Sequence, residues 1–401
     1  MSSRHAVAPA RSVDDHRREI EDLLRPTAAR DPELVPMAAA LGRRLAADVY
    51  SPLDLPVFRN SAMDGYAVRA DSVAIVPVRL RLAGVVAAGN PGETQLPEGA
   101  ALKVMTGAPM PPGADCVVPV EHTSFDGESV TIEKSRSAGD FVREPGTDAR
   151  TGQLLVAAGT LLRPRHIAAL AAVGLPELPV APRIRAAVLT TGDELMPAGT
   201  QLLPGQIYNS NGLALAAALA DNGVEVVSVA HATDDPAEFR QRLDEATAGA
   251  DVVFTSGGVS QGDFEVVKDV LGPLGGRFGA VAMQPGGPQG LSVVDGVPVL
   301  SFPGNPVSTM VSFEVFARPI LRELAGLPEV ATAELPLLDS VRSPAGKRQF
   351  LRGRVTDAGV EITSGQGSHL IASMAQAEVL IEIPAEATDV ATGTVVRISR
   401  L

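Results

Sequence analysis

Ile184-Arg185-Ala186-Ala187-Val188-Leu189-Thr190-Thr191-Gly192-Asp193-Glu194 is the stretch that decides how this chain folds. Ile184–Thr191 is almost continuously apolar, without the in–out alternation of a half-exposed strand. Such a run, stopped by a glycine and two acids, reads as a strand buried on both faces. Working outward, strand and helix alternate. Leu213–Ala220 is helical and stops at Asp221-Asn222-Gly223, and Val224–Ala230 is the next strand. Asp235-Pro236 opens a helix, with Asp as N-cap and Pro in the first turn. Asp251–Thr255 is a third strand, Glu265–Leu271 a helix, Val297–Phe302 a later strand and Pro306–Leu324 a long helix. That order predicts a central doubly wound α/β domain of mostly parallel strands over residues 181–327.

Both flanks differ in texture. Val13–Leu24 and Pro36–Leu45 read as helices, and Arg165–Val173 as a third that ends at Gly174. Between them, from Leu53, short β-like runs sit among Gly and Pro turns: Tyr66–Val68, Val78–Val86, Leu102–Met105, Cys116–Pro119 and Ser129–Ile132. This predicts a β-rich domain over 51–148. Past Leu327, Arg348–Val355, Val360–Ile362, Val379–Pro384 and Val395–Ile398 predict a small β-barrel or sandwich over 328–401.

Composition narrows the function. The 401 residues carry a net charge of −13 and only 3% aromatics, which argues against a nucleic-acid partner. The single cysteine, Cys116, excludes a disulfide framework or a cysteine-rich metal site. Its apolar neighbours make it a core residue. No apolar run is long enough for a membrane helix. The basic N-terminus (Arg4, His5, Arg11, His16) lacks an apolar targeting core, so a cytoplasmic protein is expected.

Ligands of open α/β sheets bind beyond the carboxyl ends of the strands. Here those ends hold Thr191-Gly192-Asp193-Glu194, Thr233-Asp234-Asp235, Thr255-Ser256-Gly257-Gly258-Val259-Ser260 and Phe302-Pro303-Gly304-Asn305-Pro306. Glycines let backbone N–H groups approach a phosphate. Carboxylates beside a phosphate require a hard cation such as Mg²⁺ between them. Taken singly, Gly257-Gly258 is an ordinary turn, Asp235 a helix cap and Pro303 and Pro306 loop-shaping residues. Their co-occurrence on one rim points to a site.

Several further motifs carry a resemblance. Ser61-Ala62-Met63-Asp64-Gly65-Tyr66-Ala67-Val68, Met105-Thr106-Gly107-Ala108-Pro109 with Gly113-Ala114-Asp115, the three rim segments from Thr191, Ser256 and Pro303, Phe350-Leu351-Arg352-Gly353 and Gly367-Ser368-His369 follow one another in order. In this the chain resembles the molybdopterin molybdenumtransferase family, which shares these features with the C-terminal domain of gephyrin. The resemblance implies an elongated homodimer of four-domain subunits, with 12–50 and 149–180 forming a discontinuous first domain. It implies an active-site cleft shared between the α/β domain of one subunit and the β-rich domain of the other. It also implies molybdopterin-AMP and molybdate as substrates, Mg²⁺ as cofactor, and a molybdopterin adenylyltransferase and recipient molybdoenzymes as partners.

By the same resemblance, Asp64, Glu194, Asp234 and Glu265 are the functional carboxylates, with Glu194 and Asp234 on the metal. Thr106, Asp148, Ser256, Gly257, Gly258, Ser260, Pro303, Gly304, Asn305, Pro306, Arg352 and Ser368 are substrate-side positions. Without it, Asp64-Gly65 reads as a turn, Asp148 as a solvated turn residue and Arg352 as an exposed strand residue. The chain departs from the family pattern where lysines are expected: the segment reads Ala280-Val281-Ala282-Met283-Gln284-Pro285-Gly286-Gly287-Pro288, with Ala280, Gln284 and Gly287 at the lysine positions. Glu265 stands where aspartate is common. Three other readings compete: a paralogue that binds molybdopterin without inserting metal, a molybdopterin adenylyltransferase, and a scaffold protein. The adenylyltransferase would not need the two β-rich domains, and a scaffold would show long linkers.

Overall fold

The computed structural model describes residues 10–89, 93–260, 265–363 and 365–401, so Arg4 and His5 of the basic tail lie outside the described residues. The chain divides into two compact units, one of residues 34–180 and one joining the residues up to 33 with 181–401.

The larger unit is built on a six-stranded sheet in the order Glu225–Ala232, Arg185–Thr191, Val252–Ser256, Val297–Phe302, Pro288–Val294, Arg277–Ala280. The first four strands are parallel and the last two turn back antiparallel. Arg185–Thr191 is an interior strand, paired on both sides, as its largely apolar character predicts. Ala186 and Val188 face one core with Phe254 and Phe313, while Ala187 and Leu189 face the other with Phe239 and Leu243. Helices on both faces supply those cores. Asp235 caps the Pro236–Gly249 helix by accepting from the N–H groups of Ala237 and Glu238.

Two helical expectations change. Pro36–Leu45 forms only a 3₁₀ turn, Met37–Ala39, because Leu45 pairs with Val180 and Gly42 adopts a positive φ. The long helix from Pro306 is continuous but changes pitch, with a π-helical segment Phe313–Ala317 between Pro306–Ser312 and Arg318–Ala325. Pro319 has no N–H to offer the Val315 carbonyl. Arg17 fills the gap, its Nε donating to Val315 O at 3.0 Å.

That contact belongs to a larger correction. The Val13–Leu24 helix, expected with 149–180, packs into the α/β unit instead. Its apolar stripe Val13, Ile20 and Leu24 joins the core of Phe313 and Phe316, and full burial of each large side chain contributes about 1.5–3 kcal/mol. The same unit holds a second six-stranded sheet, Met283–Gln284, Arg348–Thr356, Val379–Ile383, Val395–Arg400 and Thr332–Pro336, with Gly359–Ile362 paired to Arg348–Thr356. It has its own core of Leu337, Leu351, Val379 and Ile381.

The 34–180 unit carries a six-stranded sheet, Cys116–Pro119, Gly65–Val68, Ala100–Val104, Val78–Val86, Ser129–Ile132 and Thr123–Phe125. Its two faces bury Ala67, Leu102 and Val104, and Val68, Cys116 and Ile132. The Pro164–Ala172 helix belongs to a separate core with Leu45, Leu162 and Val180.

Candidate active site

The carboxyl ends of the parallel strands enclose a cavity of about 420 Å³. The fold brings Glu194, Asp234, Ser256, Gly257, Gly258, Ser260, Glu265, Gly304, Asn305 and Pro306 to its wall. No Lys, Arg or His lines it among the described residues. The wall is therefore acidic, and an anion entering it needs a cation or neutral donors.

Each loop has a local reason for its shape. Gly257 and Gly258 have φ of +105° and +62°. A Cβ on Gly257 would lie 2.7 Å from Thr191 Oγ1, and one on Gly258 2.8 Å from Val267 Cγ2. The glycines are therefore required by packing, whatever they do for a ligand. Glu265, 9% exposed, accepts from the Ser260 N–H at 2.7 Å and so closes this loop. Asp193 and Asp234 tie the first two strand ends together: the Asp234 N–H donates to Asp193 Oδ1 at 3.0 Å, and the Asp193 N–H to Asp234 Oδ2 at 3.4 Å. Glu194 is exposed at the wall, its carboxylate turned back over Gly192.

Among the described residues no group of three or more His, Cys, Asp or Glu is arranged to hold a metal ion. The donor set is thus not a preformed cage. Glu194 and Asp234 suit a hard cation that takes one or two carboxylates and completes its shell with phosphate oxygens and water, as Mg²⁺ does.

Arg352 and Ser368 lie outside this wall but next to it. Ser368 O accepts from the Val307 N–H at 3.0 Å, so its loop is fastened to the helix that begins at Pro306. Arg352 is not the exposed strand residue its pattern suggested; it is 0% exposed. Its Nη2 donates to Gly365 O and Gly367 O, while Nε and Nη1 have no partner among the described residues. Burial shifts its pKa down. Two orphaned guanidinium donors in the interior carry a desolvation penalty that a bound anion would offset.

Gln284, at an expected lysine position, is engaged elsewhere. Met283–Gln284 pairs with Arg348–Gln349, and Gln349 Nε2 donates to Gln284 Oε1 at 2.9 Å. Neither Ala280, Gln284 nor Gly287 lines the cavity.

In the other unit, Asp64 and Thr106 form one cluster. The Thr106 N–H and hydroxyl both donate to Asp64 Oδ1, at 2.6 and 2.8 Å. These bonds, the backbone one first, hold the Asp64 carboxyl below the usual range. Asp64 is thus ionised and exposed, more than a turn residue needs. Asp148 lies exposed in the turn after Val142–Arg143, its N–H donating to Leu55 O at 2.9 Å. No contact joins it to Asp64 among the described residues.

Sequence reasoning missed Asn209 and Asn211, which open the Ser210–Asp221 helix. Asn209 caps it by accepting from the Gly212 N–H. Asn211 donates to Ser256 Oγ at 2.9 Å and to Gly304 O at 2.7 Å. The available signal was the polar run Asn209-Ser210-Asn211-Gly212 directly before an Ala/Leu helix.

Residues 11–174 match the MoeA N-terminal region (domain I and II), 187–323 a probable molybdopterin binding domain and 334–401 the MoeA C-terminal region (domain IV). The chain is 45% identical to molybdopterin molybdenumtransferase 2 of Mycobacterium tuberculosis, an alignment covering 96% of this chain and 98% of that protein. It is 35% identical to the molybdopterin molybdenumtransferase of a Nostoc species, over 99% of this chain and 95% of the relative. A molybdopterin biosynthesis MoeA protein from Pyrococcus horikosii superposes with a TM-score of 0.79 at 31% identity, covering 98% of this chain and 99% of that one.

Proposed function

The chain belongs to the molybdopterin molybdenumtransferase family, and from that premise we propose how its residues divide the work. The enzyme is a transferase that inserts molybdenum into adenylylated molybdopterin with release of AMP, the last step of molybdenum cofactor synthesis. The observation that carries the assignment of the site is the acidic cavity at the strand ends, where Glu194, Asp234 and the Ser256–Ser260 loop converge.

In this proposal Mg²⁺ sits with Glu194 and Asp234. When bound there, the cation would supply the charge that neutralises phosphate oxygens the acidic wall would otherwise repel. Glu265 holds the Ser256–Ser260 loop closed, and the rim loop Pro303–Pro306 lies against the substrate. Molybdate, a dianionic substrate, takes the spare donors of Arg352, with Ser368 beside it. Asp64, Thr106 and Asp148 serve as substrate-side groups of the second domain. The four-domain division is kept with one change, the first helix going to the α/β domain; the separate cores support it. The working assembly is a homodimer in the cytoplasm. A molybdopterin adenylyltransferase supplies its substrate and molybdoenzymes take its product. No helix among the described residues is long and apolar enough to cross a membrane.

The deciding assay is molybdate-dependent release of AMP from molybdopterin-AMP by the purified protein. Binding of the substrate without AMP release would favour the binding-only reading. Light scattering that finds only monomer at micromolar concentration would remove the dimer.

A further inference from the structure

Asn211 joins two of the rim segments at once. It sits in the first turn of the Ser210–Asp221 helix and bonds to Ser256 Oγ and Gly304 O. Behind it the network continues inward: the Ser256 and Thr309 hydroxyls are 3.1 Å apart, and Thr309 Oγ1 donates to Pro303 O at 2.6 Å. Thr309 is fully buried and does not line the cavity, so this network meets the cavity at Asn211, Ser256 and Gly304.

The orientation of its amide is fixed by chemistry. Gly304 O is a carbonyl and can only accept, so the atom facing it must be Nδ2. Both Nδ2 hydrogens are then used, one on Gly304 O and one on Ser256 Oγ. Oδ1 is left without a partner among the described residues, on a side chain that lines the cavity. The wall's carboxylates suit a cation, and its hydroxyls and amides, Ser210, Ser260 and Asn305 among them, are neutral. A neutral acceptor held in one orientation suits a different group: a hydroxyl or amino hydrogen of the ligand.

We propose that Asn211 locks the Ser256 strand end to the Pro303–Pro306 loop and offers its Oδ1 to an O–H or N–H donor of the bound nucleotide. The proposal rests on the metal-insertion reading, which places an adenylate in this cavity. The donor is a ribose hydroxyl or the adenine amino group, and the two are separable.

Calorimetry with AMP, 2′-deoxy-AMP, 3′-deoxy-AMP and IMP tests it, on the full-length wild type and on Asn211→Ala and Asn211→Asp. The expected result is that Asn211→Ala weakens AMP binding about tenfold or more. Exactly one class of analogue, the one lacking the donor, binds wild type more weakly and is insensitive to the substitution. Asn211→Asp sets a carboxylate against the Gly304 carbonyl and weakens all four. In turnover, the positioning role predicts that Asn211→Ala lowers kcat as well as raising KM. If either variant fails to fold, Asn211→Ser, whose shorter hydroxyl can keep one donor but cannot carry the amide oxygen to the ligand, replaces it. Wild type that binds AMP with variants that bind equally well overturns the proposal alone. Wild type that binds no AMP overturns the reading beneath it.

Discussion

His16 should make the fold acid-sensitive in a way one substitution removes. It is 0% exposed on the Val13–Leu24 helix, its ring set edge-on to Phe316 at 4.7 Å, and among the described residues neither ring nitrogen makes a well-formed hydrogen bond, although the Gln289 amide lies beside it. Desolvation first, then the Arg11 charge, drives its pKa from 6.5 down to about 3, opposed by the neighbouring Gln289 amide; Arg277 adds a smaller push downward. Arg11 and Arg277 both pair with Glu19, so no carboxylate faces the ring to stabilise an imidazolium. The sign follows. Above about pH 6.5 His16 is neutral in folded and unfolded chains and adds no pH dependence. Below it the unfolded chain takes up a proton that the fold refuses, so stability falls until the pH reaches about 3. Each pH unit in that window is worth about 1.4 kcal/mol, so at pH 5 the loss is about 2 kcal/mol.

The assay compares urea unfolding of wild type and His16→Leu at pH 7.5 and pH 5, followed by circular dichroism. Hydrogen exchange of the Val13–Leu24 amides gives a local readout. Other titrating groups, such as Glu314, whose carboxyl burial shifts upward, act alike in both proteins and cancel in the difference. His16→Leu should be flatter with pH by about 2 kcal/mol over that interval. Parallel curves for the two proteins would refute the reasoning and mean that the ring finds a partner or solvent when it is protonated.

Three further outcomes are expected. Glu194→Gln should fold normally and lose about a hundredfold or more of Mg²⁺-dependent AMP release, since the amide keeps the shape without the charge; unchanged turnover at saturating Mg²⁺ would make Glu194 a loop residue. Cys116, buried and with its thiol pushed up to about 12 by desolvation, should react with iodoacetamide roughly a thousandfold more slowly than a free thiol at pH 8; rapid labelling of native protein would contradict its core placement. Gln284→Lys should fold, because Gln349 can turn its unpartnered Oε1 toward the new ammonium, and should leave the molybdate requirement little changed, because Gln284 lies outside the cavity wall; a fall of about tenfold with a stronger salt dependence would put this loop within the anion's reach.

Periodicity exposed the central domain because its strands are buried twice. Ala186 through Leu189 alternate between two cores, and only apolar residues satisfy both. Asp235-Pro236 was readable for a similar reason: a cap and a missing N–H are local facts. The docking of Val13–Leu24 was not. An amphipathic stripe states that a helix has a buried face but not what covers it, and here the partner is Phe313 and Phe316, far along the chain. The pitch change after Ser312 was half legible, since Pro319 announces a lost bond but not that Arg17 would replace it. At the rim, acids and glycines stood out by type, whereas Asn211 looked like any polar residue before a helix. Arg352 misled most, because a strand pattern cannot distinguish a solvated guanidinium from one enclosed beneath a loop.

The missing lysines take on a physical meaning from their replacements. Gln284 is joined to Gln349, and Gln289, fully buried, donates to Gly286 O at 2.8 Å and to Ser312 Oγ at 2.7 Å. Ser312 in turn donates to Ser308 O, on the helix that opens at the rim. The segment where cations are expected is thus stitched to its surroundings by neutral amides. A neutral amide with its hydrogen bonds made is cheaper to bury than an ammonium. Cations there could have served an anion only by remaining partly unpaired before it arrived. In this chain that condition is met by Arg352 instead, a buried guanidinium with two donors unused. If the oxyanion is held there, its affinity should depend on the carbonyls of Gly365 and Gly367 that fix the orientation of Nη2, and less on the charge of the Gln284 loop. On the proposed reading, charge for the anion and charge for the phosphates would be supplied separately, the first by Arg352 and the second by a cation held at Glu194 and Asp234. Such a division lets a wall without basic residues accept a substrate that is anionic at both ends.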